Sequence, residues 1–550
     1  MNASLKNVTN ILAATIALTL GSLSVQADSL NIETATIADL NKAFASGKLT
    51  SEKVVEAYLK RIATYDKQGP TINTVITLNP DAIKIAKAMD SERKSGKIRG
   101  PLHGIPVVLK DNFDTFDMQT TGGSQLLEGS IPPDDAFVVK KLRDAGAIIL
   151  AKVNLSEWAG GGGSVGGATD PAILKAGAVP NGSSTAGGQT LNPHDLTRGP
   201  AGSSGGTGAA ISAVFAQFGL GTDTGGSVRG PSSVNGIVGL KPTHGLLSRD
   251  GIIPLALTFD TGGPMARSVY DIALSLNVMT GVDPADAATK KSVGKVAKDY
   301  TSFLKTGSLK GARVGVARDF MGKNPEVDRV FNEALETLTK LGAVVVDVKY
   351  PTYMLDGRMD ISNVVMSSEF KAQIADYLNT IGPKYPKTMD DLVRLSNDPK
   401  THYRGPEKAF ALKYTAAVAL DLDDPIYLAA KNEGLTMITK AVLGVMSNNK
   451  LDVIVYPTNT TAASLIKPSG PAKPRTATDS ATNIANQTGF PDLIMPAGMT
   501  NEGLPVTISF FGPAFSEAKL LAYGYDFEQA TKALKLPKYT PGLPSDLITF

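Results

Sequence analysis

Ser227 of this 550-residue chain sits inside a glycine turn, GTDTGGSVRGP, residues 221–231. A hydroxyl in such a turn can attack a carbonyl carbon if a neighbouring group takes its proton. No histidine is close in sequence: the chain has four, His103, His194, His244 and His402. Two other segments place polar side chains among small or apolar residues. GIPVVLKDN ends an apolar run with Lys110, Asp111 and Asn112, and AGSSGGTGAA sets Ser203 and Ser204 before a small-residue helix. Taken singly, each has an ordinary structural reading: a solvated strand end, a helix N-cap, a turn. The chain has no cysteine, which excludes thiol nucleophiles and thiolate metal sites. No H-E-x-x-H pattern occurs, and neither a metal nor a cofactor is expected.

Glycine-rich sequence also produces false matches. G-x-S-x-G occurs at Ser164 and Ser204, but neither serine follows the strand that a nucleophile elbow requires. G-x-G-x-x-G at Gly161, Gly163 and Gly166 also lacks a flanking strand. A set like that of penicillin-recognising enzymes is present in order: Ser91-x-x-Lys94, Ser233-x-Asn235 and Lys305-Thr306-Gly307. S-x-x-K recurs at Ser368, Ser464 and Ser516, however, and Ser91 lies in a polar helix end where a lysine would stay solvated.

The elements that must position these residues alternate between strand and helix. LTSEKVVEAYLKRIATYDK reads as a helix with a Thr/Ser cap, NTVITL as a strand, and the stretch from Asn79 as a helix with Asn79 as cap and Pro80 first. GIPVVLK reads as a short apolar strand with Lys110 at its C-terminal end, and DDAFVVKKLRDAGAIILAKVNL gives helix, Gly146 stop, strand. Residues 159–208 are rich in Gly, Ser and Asn and are expected to form wall and floor of a site. ARVGVAR through AVVVDVKYP is a further strand–helix–strand. Residues 357–450 are mostly helical, and LDVIVYPT, DLIMPAG and LPVTISFFG are buried strands. The proline-rich tail is expected to be an irregular surface segment. The class is α/β, with a large mixed, mostly buried sheet between helices.

Composition narrows the function classes. Net charge is +3, from 55 basic and 52 acidic residues, and no Lys/Arg stripe with interleaved aromatics appears, so nucleic acid is not an expected partner. Residues 1–27 follow a secretory pattern: Lys6, a short apolar core ILAATIALTL, and Val25 and Ala27 at the small positions of a cleavage site. The apolar core is too short for a comfortable membrane span. Cleavage after Ala27 would leave a mature chain 28–550, read as one catalytic domain, periplasmic or secreted.

Taken together, the segments GPAGSSGGTGAA, GLGTDTGGSVRGP, NGIVGLKPTHGLLSRDGIIP and TFDTGGPMARSV resemble the amidase signature family. The matching block runs from about Gly104 to Arg267, and the later strands extend the likeness over nearly the whole mature chain. The leader and GGQTLNPHDLTRGP look most like bacterial peptide-amidase-type enzymes. The resemblance implies an αβα sandwich and a Ser-Ser-Lys triad. Ser227 would be the nucleophile, Ser203 the bridge and Lys110 the base, with an oxyanion hole from the amides of Thr224, Gly225, Gly226 and Ser227. It also implies a cis peptide at Gly202–Ser203. Asp223 and Arg229 would support the turn. Lysine with its ordinary pKa of about 10.4 is protonated at neutral pH, so burial must bring Lys110 down. The expected substrate is a small-molecule or peptide amide, handled by a monomer or homodimer. Other readings are the amidase component of an amidotransferase, a penicillin-recognising serine enzyme, and a catalytically dead binding protein.

Overall fold

The computed structural model describes residues 29–160, 179–466 and 476–550. Runs such as PVVLK, IILAKV and VIVYP are buried at every position, the pattern of strands covered on both faces. They belong to one eleven-stranded sheet. Its strands in chain order are β1 Val75–Leu78, β2 Pro106–Lys110, β3 Ile148–Val153, β4 Phe218–Asp223, β5 Val238–Lys241 and β6 Thr261–Ala266. The remainder are β7 Arg313–Ala317, β8 Val344–Val348, β9 Val453–Pro457, β10 Asp492–Met499 and β11 Pro505–Phe511. Across the sheet the order is β8-β7-β9-β11-β10-β5-β6-β4-β2-β3-β1. The sheet is mixed. β2 runs parallel to β3 and β4, β7 runs parallel to β8 and β9, and the strands between are antiparallel.

Helices flank the sheet. The helix Gly205–Ser212, GGTGAAIS, is buried on every side and packs on β2 and β4, an approach its small side chains permit. The long helix Thr352–Thr380 contributes Phe370, Ile374 and Tyr377 to a separate apolar cluster with Trp158 and Ile253. The later helical run Pro425–Asn448 contains a π-turn at Ala429–Gly434. Among the described residues no helix is long and apolar enough to cross a membrane.

Two local expectations change. The helix after Asn79 begins at Ala82 with Asp81 as its cap. Asn79 instead accepts the Asp81 N–H (2.9 Å) and donates to the Ile149 carbonyl (2.7 Å), so it ties the helix entrance to β3. The proline-rich tail is not purely irregular: Leu547–Thr549 pairs antiparallel with Ser29–Asn31. Buried Asp546, just before that strand, forms an ion pair with buried Arg61.

Candidate active site

Parallel pairing of β2 with β4, Val107 opposite Phe218 and Leu109 opposite Leu220, brings the C-terminal ends of both strands to one edge. In parallel sheets that edge is where sites form. Lys110 ends β2, and Thr222 and Asp223 end β4. Lys110 Nζ lies 2.7 Å from Ser203 Oγ and 2.7 Å from Thr222 Oγ1. Asn112 Nδ2 donates to the same Thr222 oxygen at 3.0 Å. Lys110 is fully buried and touches hydroxyls rather than carboxylates. Burial lowers its pKa to about 7, against the opposing pull of Asp223 and Asp260.

Ser203 is held from the chain on both sides. The Gly202–Ser203 peptide is cis, and the Ser203 carbonyl accepts the Ser156 N–H at 2.9 Å. A Cβ on Gly202 would come within 2.3 Å of Ser156 Oγ, so a larger residue there would have to displace that hydroxyl. Ser204, the neighbouring candidate, is fully buried and donates through its hydroxyl to the Thr222 carbonyl at 3.1 Å; its amide donates to the Ser227 carbonyl at 3.1 Å. Ser204 is thus a brace between the two serine segments. Ser227 is half-buried. Among the described residues no direct hydrogen bond joins the Ser203 and Ser227 hydroxyls.

The turn bearing Ser227 is fixed by Asp223. Its carboxylate accepts the Gly226 and Val228 amides, each at 2.9 Å, and the Arg229 guanidinium at 2.9 and 3.0 Å. Burial pushes the Asp223 pKa up, but Arg229 outweighs it and leaves the carboxyl well below the usual carboxylate range. Arg229 in turn donates to Asp492 (3.0 Å) and to the Thr482 carbonyl. Gly226 has φ +120° and a Cβ there would meet Thr482 Oγ1 at 2.6 Å. Of the four amides expected to bind an oxyanion, that of Gly226 is therefore engaged by Asp223. Those of Thr224, Gly225 and Ser227 face no protein acceptor among the described residues.

Beside the turn lies a small, partly open cleft lined by Thr222, Thr224, Ile252, Ile253, Leu255 and Leu257. Thr224 donates through its hydroxyl to buried Asp260, whose pKa burial pushes up to about 6. The expected wall from residues 159–208 is only partly seen. Ala159 lines the cleft, Ser183–Ser184 and Gly188–Gln189 form a small hairpin anchored on Asn154, and residues 161–178, with Ser164 and its glycines, lie outside the described residues. The wall the structure shows is residues 252–257. Their sequence, IIPLAL, reads as apolar surface and carries no marker of a site. Thr222 and Asp260 are likewise partners that the sequence does not single out, and Asn112 is named there only as a neighbour of Lys110, with no role. Only the adjacency of Asn112 to Lys110 and of Thr222 to the glycine turn hints at them.

The penicillin-type residues do not converge. Ser91 is exposed and donates to the Lys87 carbonyl (3.0 Å), Lys94 and Lys305 are exposed, and Ser233 is buried against Thr507 (2.6 Å).

A mixed sheet flanked by helices, with a buried lysine and two serine-bearing segments gathered at the carboxyl ends of neighbouring parallel strands, defines an α/β fold with a polar site at its strand ends. The chain belongs to the amidase family, whose model matches residues 53–521. It is similar to the native peptide amidase from Stenotrophomonas maltophilia: 37% identity, TM-score 0.82, covering 92% of this chain and 99% of that one. An amidase family protein from Bacillus anthracis superposes with a TM-score of 0.78 at 30% identity, over 92% of this chain and 93% of the other. One of the subunits of the glutamyl-tRNA(Gln) amidotransferase of Thermoanaerobacter pseudethanolicus is 36% identical over 517 residues, 92% of this chain and 98% of the relative. The chain is an amidase, a hydrolase acting on amides.

Proposed function

We propose that this amidase is exported and cleaves carboxylic amides through an acyl-enzyme on Ser227. The observation that carries the reading is the 2.7 Å contact between Ser203 and a buried Lys110 whose pKa is about 7, at the foot of the Ser227 turn. Lys110 is then substantially neutral at neutral pH and can accept a proton. In the reaction, Ser227 Oγ attacks the amide carbonyl. Its proton passes to Ser203, and the Ser203 proton passes to Lys110. The amides of Thr224, Gly225 and Ser227 receive the developing oxyanion. When the C–N bond breaks, the proton returns by the same path to the leaving amine. Water then repeats the attack on the ester and releases carboxylate and free Ser227.

Substitution with covalent labelling tests this. Ser227→Ala removes both turnover and labelling by a fluorophosphonate. Lys110→Ala keeps the fold and lowers kcat by roughly 10³-fold or more, because base, relay and nucleophile act as a unit. Ser203→Ala costs less than loss of the nucleophile. A collapse of turnover in a correctly folded single variant at His103, His194, His244 or His402 would instead put the proton on histidine.

A second reading, the amidase component of an amidotransferase, is favoured by the similarity to one chain of such an enzyme. The leader-like residues 1–27 count against it. Purification from the native host separates the two: the amidotransferase reading requires partner proteins that copurify.

A further inference from the structure

Four consecutive backbone amides at the end of the cleft wall and just beyond it, residues 255–258, donate to side-chain oxygens. Leu255 and Ala256 donate to Asp260 at 2.8 and 3.0 Å. Leu257 donates to Gln373 Oε1 at 2.8 Å and Thr258 to Glu369 Oε2 at 2.9 Å. The Thr258 hydroxyl also donates to Glu369. The Leu257 carbonyl is also held, by His244 (2.9 Å) and Arg249, so the loop takes its position from side-chain partners, since no strand ladder fixes it. Two of the three residues that accept these amides lie on the long helix Thr352–Thr380, more than 100 residues away in sequence.

Glu369 is built into that role. It is fully buried and accepts four donors: the two from Thr258, the Tyr427 hydroxyl at 2.8 Å and Lys431 Nζ at 2.9 Å. Lys431 comes from the π-turn, so that irregularity supplies a partner for the buried carboxylate. The opposite side of the loop shows the result. Leu255 and Leu257 are only half-buried, and both line the cleft beside Thr224.

We propose that Glu369 and Gln373 are positioning residues that set which acyl chains the cleft admits, by fixing the backbone of residues 257 and 258. The proposal rests on the reading of Ser227 as the nucleophile next to this cleft. Glu369→Gln puts an N–H among donors and leaves fewer acceptor sites, so the loop must move. Asp260 still holds Leu255, Ala256 and Thr224, so the reacting turn stays in place.

The test is Ser227 adduct formation, read by mass, with fluorophosphonates carrying an ethyl or an octyl chain. In Glu369→Gln the octyl-to-ethyl rate ratio shifts by at least about fivefold, as expected where a few methylenes meet an altered apolar wall. The ethyl rate stays within about twofold. Gln373→Ala shifts the ratio in the same direction, and Leu257→Ala confirms that the wall controls it. An unchanged ratio in both helix variants overturns the proposal. A uniform fall of both rates does the same, since it marks a merely structural role. If Glu369→Gln does not fold, Gln373→Ala decides. Amide turnover by the wild type is scored separately: its absence with chain-length ratios behaving as stated sinks the proposed function and leaves this inference standing, whereas no Ser227 adduct in the wild type overturns both.

Discussion

Thr222 does a task at the residue scale that neither serine can do. A neutral lysine has two N–H bonds and one lone pair, and only the lone pair is useful to Ser203. Thr222 Oγ1 lies 2.7 Å from Lys110 Nζ and accepts from Asn112 at 3.0 Å. In the proposed mechanism it gives one N–H of the neutral amine a place to go, which leaves the lone pair for Ser203. Burial lowers Lys110 to about 7, and the base form is the deprotonated amine, so kcat/KM rises with pH through about 7 and stays high into mildly alkaline solution. Thr222→Val lowers kcat about tenfold or more with little change in KM, and moves the acid limb of that profile. A pH–rate profile flat from pH 6 to 9 in the wild type would remove Lys110 as the base. The histidines have other occupations. His103, His194 and His244 have ring nitrogens against the carbonyls of Met89 (2.9 Å), Asn235 (3.2 Å) and Leu257 (2.9 Å). Burial lowers the pKa of all three, to about 4 for His194 and about 3 for His244.

Among the elements, the turn bearing Ser227 is local in sequence but not in support. Asp223, Gly226 and Arg229 lie within one short stretch, and that stretch was legible because a polar residue among glycines at a strand end marks a turn. Its buttress was not legible. Arg229 is fixed by Asp492 and the Thr482 carbonyl, both more than 250 residues away in sequence, and Tyr456 donates to Asp492 in turn. Such partners have no signature in a single chain: Asp492 reads only as the first residue of an apolar strand. Arg229→Met leaves Asp223 and Asp492 buried without their cation. The expected cost is about 3–5 kcal/mol in chemical denaturation, together with loss of turnover, since the turn loses its frame. Stability within about 1 kcal/mol of the wild type would show that other donors satisfy the two carboxylates. The strands around the site were also legible, because buried parallel strands are continuous apolar runs. The wall at 252–257 was not, because apolar residues in a loop look the same whether they face a core or a cleft.

For the molecule as a whole, the mixed α/β sheet was recoverable from the alternation of helix and strand patterns, while the pairing of the tail with Ser29–Asn31 was hidden behind its prolines. Export is the remaining expectation at this scale. Val25 and Ala27 complete the small-residue pattern, so N-terminal sequencing of protein from a secreting host gives a first residue of Asp28. Protein beginning at Met1 in a soluble cytoplasmic fraction would refute export. The distribution of the site along the chain has a consequence for timing. Lys110, Ser203 and Ser227 are all made in the first half of the chain, but the residues that lock the turn, Thr482 and Asp492, come near its end. In the proposed mechanism a nascent polypeptide therefore carries every reacting group long before it can hold them in register. In that mechanism activity is expected only after the segment bearing Thr482 and Asp492 has been made and has docked on Arg229, so its appearance would report that the two halves have closed on each other.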